Sequence, residues 1–115
     1  MTEILCEREF LDAMNADRAV LFVHFVWSGP SVISKRAFES WACEASRLRS
    51  DVQLFFVNYD AFQKSLEPLL EGVGERHGNG CVIWLMHGKA KAYMGSASGR
   101  ASELSKTTDR AFSES

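Results

Sequence analysis

An unbroken apolar run, Ala19 to Trp27, is followed at once by Ser28-Gly29-Pro30-Ser31 and then by a long amphipathic stretch. That succession constrains the fold more than any other feature of the chain. The run is rich in Val and Phe, which suits a central strand buried on both faces; only His24 interrupts it. Residues 28–31 carry turn chemistry, with Pro30 tolerated in a first helical turn, so a helix starts there. From that point Ile33, Ala37 and Trp41, with Phe38, Ala45 and Leu48, trace a broad stripe, while Lys35, Arg36, Glu39, Glu44 and Arg47 fall largely outside it. Ser50-Asp51 marks the end of the helix.

The remaining segments repeat the alternation. Ile4-Leu5-Cys6 is weakly strand-like, and Glu7 to Met14 places Phe10, Leu11 and Met14 on one helical face behind an acidic first turn. Val52 to Tyr59 reads as a strand, Asp60 to Gln63 as a polar connector, and Leu66 to Glu71 as a short helix with Pro68 near its start. Four glycines within Gly72–Gly80 predict a loop. Cys81 to Met86 is a further apolar strand, His87-Gly88 a tight turn, and Lys89–Met94 an edge hairpin strand. Gly95 to Gly99 is loop, and Ser102 is placed to cap a last helix that turns Leu104, Ala111 and Phe112 inward. The order βαβαβαββα predicts an α/β fold: a mixed β-sheet flanked by helices on both faces. Right-handed parallel crossovers are expected where helices intervene, and an antiparallel pair at the hairpin.

At 115 residues, with no linker or repeat, the chain reads as a single domain over 1–115. A formal charge of −2 argues against a nucleic-acid binder. The longest apolar stretches, Ala19–Trp27 and Cys81–Met86, fall short of the ~20 residues that span a bilayer, and residues 1–18 carry too many charges for a signal peptide. The expectation is a soluble, cytoplasmic protein with no membrane association. Cys6, Cys43 and Cys81 are odd in number and include no CxxC pair. Neither a disulfide framework nor a zinc site is indicated. His77 and His87 lie in loops without ligand spacing, so no metal and no cofactor is expected.

The segment Phe25-Val26-Trp27-Ser28-Gly29-Pro30-Ser31 resembles thioredoxin, whose signature is Trp-Cys-Gly-Pro-Cys in the same strand-to-helix position. The likeness extends over essentially the whole chain: Val52–Asp60 resembles the family's third strand, Cys81–Lys89 its penultimate strand and turn, and Gly95 to Phe112 its last loop and helix. The resemblance implies that Ser28 stands in place of the nucleophilic cysteine and Ser31 in place of the resolving one. Family chemistry needs a thiolate to attack a disulfide and a second thiol to release it, and a serine hydroxyl does neither. Counting back from Trp27 puts Phe22 where the family usually has a buried Asp, although a shifted register would put His24 there. Counting back from Gly88 puts Gly80 at the family's cis-proline, where glycine would keep access and lose rigidity. These departures together point to a natural redox-inactive relative, with any link to cell redox balance inherited from the family alone.

Several residues carry two readings. Ser28 and Ser31 cap the helix, or its N-terminus binds an anion or a partner's carboxylate; a Ser–His catalytic pair with His24 is disfavoured because no acidic partner stands at useful spacing. Trp27 is an exposed anchor for a partner or a packing residue, whereas Trp41 and Trp84 fall in core patterns. Cys81, beside the cis-proline position, is expected near the Ser28–Ser31 loop, as a reactive thiol or an inert buried one. Cys6 and Cys43 read as packing residues. The favoured function is binding: the Trp27–Ser31 loop and the Gly78–Cys81 loop would form a shallow groove for a protein or peptide segment. Trp27, Gly29 and Pro30 would shape it, and Gly80 with Cys81 would form the opposing edge. A homodimer through Trp27 would use the same surface. The alternatives are a single-thiol redox sensor using Cys81, and a Cys-to-Ser mutant of an active thiol–disulfide oxidoreductase.

Overall fold

The computed structural model describes residues 1–71 and 79–113. The predicted Ala19–Trp27 strand is observed as β2, Ala19–His24, and all six of its residues are buried. It ends three residues early because Phe25 begins a turn, closed by a hydrogen bond from Ser28 N to Phe25 O at 3.0 Å. The other elements are β1 (Thr2–Glu3), α1 (Glu7–Asn15), α2 (Gly29–Leu48), β3 (Gln53–Asn58), a 3-10 turn (Tyr59–Ala61), α3 (Gln63–Glu71), β4 (Cys81–Met86), β5 (Lys89–Met94) and α4 (Ala101–Ala111).

The five strands form one sheet in the order β1-β3-β2-β4-β5. Strands β1 and β2 each run parallel to β3, while β4 is antiparallel to β2 and β5 to β4. The expected crossover into β4 is therefore corrected: β4 starts at the end of the sheet where β2 finishes, with Val23 opposite Cys81. That reversal delivers Gly80 to the start of α2. The hairpin that follows turns on His87 (φ 51°) and Gly88 (φ 78°), the paired left-handed conformation that matches strand twist in a two-residue loop.

Strand alternation sorts the core into two layers. Leu21, Val23, Phe25, Cys81, Ile83 and Leu85 pack with α1 and α3, through Phe10, Ala13, Leu66 and Leu70. Val20, Phe22, Val82 and Trp84 pack on the other face with Phe38 and Trp41 of α2 and Leu104 of α4. Each fully buried Phe or Leu contributes about 1.5–3 kcal/mol relative to exposure. Trp41 and Trp84 are core residues as predicted, and both indoles are satisfied, by Ser105 Oγ and Thr108 Oγ1, each at 2.9 Å.

Elsewhere the boundaries shift. The first strand lies at Thr2–Glu3, and Cys6 immediately precedes α1. In α1, Phe10 and Ala13 are buried, with Leu11 exposed. Helix α3 starts three residues earlier than predicted, so Pro68 lies inside it. Ser102 is not a cap: α4 begins at Ala101, with Arg100 before it and no side-chain cap. Cys6 and Cys43 are exposed and do not pack. The loop expected over Gly72–Gly80, with His77 and Gly78, lies outside the described residues apart from Asn79 and Gly80. Among the described residues no helix is long and apolar enough to cross a membrane, and no His, Cys, Asp or Glu cluster could hold a metal ion.

Candidate functional site

The chain leaves β2 at His24, turns through Phe25–Trp27 and enters α2 at Gly29. Ser28 is the N-cap: its extended backbone (φ −108°, ψ 120°) directs Oγ back to accept from Ser31 N at 3.3 Å. Pro30 occupies the first turn, where its missing N–H costs nothing, and Gly29 faces open space.

Ser31 does something else. Its side chain is fully buried, and Oγ accepts from Phe25 N at 2.9 Å and lies 2.8 Å from His24 Nδ1. A hydroxyl has one proton and two lone pairs, so Oγ serves both Phe25 N and Nδ1, and the imidazole tautomer sets which of Oγ and Nδ1 is the donor. Burial holds the His24 imidazole below its ordinary value; the positive charge of Lys35 adds to this, and Glu39 opposes it. The Ser–His pair disfavoured on spacing is thus assembled, yet burial closes it to substrate. It ties β2 to α2.

Ser34 was not singled out in the sequence. It is fully buried, donates to Gly80 O at 3.0 Å and accepts from Ala97 N at 2.8 Å, joining α2 to the two loops that approach it. The one available signal was register: Ser31, Ser34, Phe38 and Trp41 fall on a single helical face.

Gly80 stands where it was expected, against the start of α2. Its φ of +81° is left-handed, and a Cβ there would come within 2.7 Å of the Phe22 ring, 2.9 Å of Ser31 Oγ and 3.2 Å of Ser34 Cβ. Both backbone and space demand glycine, and a proline ring, fixed near φ −65°, does not fit this conformation. The Ser34 hydroxyl donates to the Gly80 carbonyl and so ties this position to α2. Phe22 is fully buried and stacks on Phe38, ring centroids 5.2 Å apart.

Cys81 does not join this group. It is 3% exposed and lies in the α1–α3 layer, on the opposite face of the sheet from Phe22. Strand parity explains it: Gly80 faces α2, so the next side chain faces away.

Around the buried serines the surface is apolar. Trp27 is 67% exposed, Ile33 58% and Val26 53%, with Val32 beside them. Trp27 meets Phe25 edge-on at 5.7 Å, and Phe25 packs on Tyr59 at 4.9 Å, so the indole rests on core aromatics while most of it remains open. The first turn of α2 carries no acidic side chain.

Solved structures align over nearly the whole chain. A thioredoxin from Malassezia sympodialis aligns with a TM-score of 0.75 at 14% identity, covering 96% of this chain and 89% of that one. A thioredoxin from Trypanosoma brucei brucei gives 0.70 at 19% identity, covering 98% and 90%. The chain has the thioredoxin fold. Trxlp from Edwardsiella tarda also aligns, with a TM-score of 0.65 at 19% identity and coverage of 94% of this chain and 98% of that one. No family model matches the sequence, and no curated relative does. At these identities the likeness is one of fold, and the thioredoxin fold does not by itself specify activity.

Proposed function

We propose that this thioredoxin-fold chain is a redox-inactive binding module that holds a protein or peptide segment at the Trp27–Ser31 end of α2. The observation that carries this is an inversion of polarity: Ser28, Ser31 and Ser34 are buried, while Val26, Trp27 and Ile33 are exposed around them. The serines serve as structural ties. Ser28 caps the helix and Ser31 bridges Phe25 N and His24. Disulfide exchange needs a thiolate at these positions, and neither hydroxyl supplies one. A largely exposed Trp seated on Phe25 is pre-ordered as an interface anchor, of the kind whose truncation costs about 2 kcal/mol or more of binding energy.

A redox sensor would need an accessible Cys81 thiol, and its burial in the α1–α3 layer weighs against that role. A Cys-to-Ser mutant of an active oxidoreductase would be expected to keep the proline position. The left-handed Gly80, packed on Phe22, weighs against that origin, so Ser28→Cys with Ser31→Cys should leave insulin reduction far below that of a thioredoxin.

The test is selection of peptides from a random display library on the wild-type chain, followed by titration. Selected peptides should lose about tenfold or more in affinity for Trp27→Ala, with Cys81→Ser binding normally. Peptides that bind Trp27→Ala as well as wild type would overturn the assignment.

A further inference from the structure

Building on the binding role proposed for the Trp27–Ser31 loop, we infer that the charge on His24 switches it: the neutral imidazole holds the loop in its binding form, and the protonated imidazole releases it. One oxygen makes the connection. Ser31 Oγ lies 2.8 Å from His24 Nδ1 and accepts from Phe25 N at 2.9 Å, and the Phe25 ring is the platform that Trp27 meets at 5.7 Å. His24 and Ser31 are both buried, so breaking either bond strands a buried polar group.

Protonation leaves a hydrogen on both ring nitrogens, so Nδ1 can only donate. Ser31 Oγ must then accept from Nδ1 and from Phe25 N together, and the hydroxyl proton has to find an acceptor elsewhere. The new charge also stands at the first turn of α2, where the helix's own N–H groups are already positive.

The surroundings do little to offset it. On α2, Lys35 repels the charge and Glu39 attracts it, but Glu39 is exposed and its attraction is screened by solvent. Strand β3 sets Asn58 in register with His24, and Gly80 approaches Ser31 from the start of β4; neither ionises. Tyr59, the next residue after β3, packs on Phe25 in the opposite layer. Burial and Lys35 together hold the imidazole below its ordinary value. A protonated ring is stabilised by moving toward water, which breaks the bond to Ser31 and loosens the seat of Phe25. The binding form therefore carries fewer protons than the released one. Affinity should be constant above about pH 6.5, fall as pH drops below that, and level off once pH passes the native pKa.

The probe is a histidine-free peptide selected on the wild-type chain at pH 7.5 whose binding is lost with Trp27→Ala, titrated at pH 7.5 and at pH 5 with circular dichroism confirming the fold at both. Wild type should bind it about threefold or more weakly at pH 5. His24→Asn, whose amide takes the Nδ1 position without titrating, should bind equally at both. His87→Gln, at the far end of β4, should keep the wild-type dependence. Proton NMR of the free wild-type chain needs neither peptide nor variant: the Trp27 indole N–H shift should titrate with the midpoint of the His24 ring, below 6.5. A Trp27 shift that ignores that midpoint would overturn the switch. So would Trp27-dependent binding of equal strength at both pH values, or an equal fall in His24→Asn. If no selected peptide depends on Trp27, the binding role itself fails, and the indole titration alone decides whether His24 controls the loop.

Discussion

From Phe38 onward, helix α2 buries Phe38, Trp41 and Ala42 and turns Glu39, Glu44 and Arg47 to solvent, whereas its first two turns bury Ser31 and Ser34 and expose Val32 and Ile33. The far half is held by apolar burial. The near half is held by hydroxyls, each bonded to groups brought in from other elements: His24 and Phe25 N for Ser31, Gly80 O and Ala97 N for Ser34. A buried hydroxyl is tolerated only when it is so bonded. The two halves of one helix are thus held by different means. The near half leaves Val32 and Ile33 in solvent because Ser31 and Ser34 take its inward positions, and the proposed binding role would draw on those exposed side chains.

Substitutions in the two halves should separate these terms. Phe38→Ala, in the far half, should cost about 3–5 kcal/mol in a urea titration; a cost below about 1 kcal/mol would erase the distinction. Gly80→Ala, at the junction, combines a left-handed backbone with a 2.7 Å approach to Phe22 and should cost about 2–4 kcal/mol. Ser31→Ala leaves Phe25 N–H without its buried acceptor, a loss of about 1–3 kcal/mol.

The His24 effect is smaller and depends on pH. An imidazole whose native pKa lies below its ordinary value of 6.5 binds fewer protons folded than unfolded. Its contribution is intact above about pH 6.5, is lost as pH falls below that, and levels off once pH passes the native pKa. Tm measured from pH 7.5 to 5 should fall further for wild type than for His24→Gln. Parallel curves would mean that His24 is not held neutral by the fold. Smallest of all, Trp27→Ala should shift stability by no more than about 0.5 kcal/mol, since the indole is mostly in solvent.

The same division decides what could be read from the sequence. The βαβαβαββα order, the β2–α2 junction, the His87-Gly88 turn and the two core tryptophans follow from local periodicity and turn chemistry, and all are observed. Ser34 could not be read that way, because its partners Gly80 and Ala97 lie 46 and 63 residues away. Hydrophobicity assigns Ile33 and Leu48 to the core stripe, yet they are 58% and 79% exposed: Ile33 because α2 puts the serines inward, and Leu48 because, although it shares the face of Trp41, it is the last residue of the helix and borders an open groove between α2 and α4. Cys81 was expected beside the loop from its sequence position, whereas strand parity sends it to the other layer.

The most direct test of the central claim is an amide chemical-shift map of the wild-type chain with a peptide selected on it. Perturbations should centre on Val26–Ile33 and reach Gly80, and should vanish with Trp27→Ala. A map confined to β5, or to the groove that Trp41, Leu48 and Ser105 line between α2 and α4, would contradict the assignment of the Trp27–Ser31 loop as the binding surface.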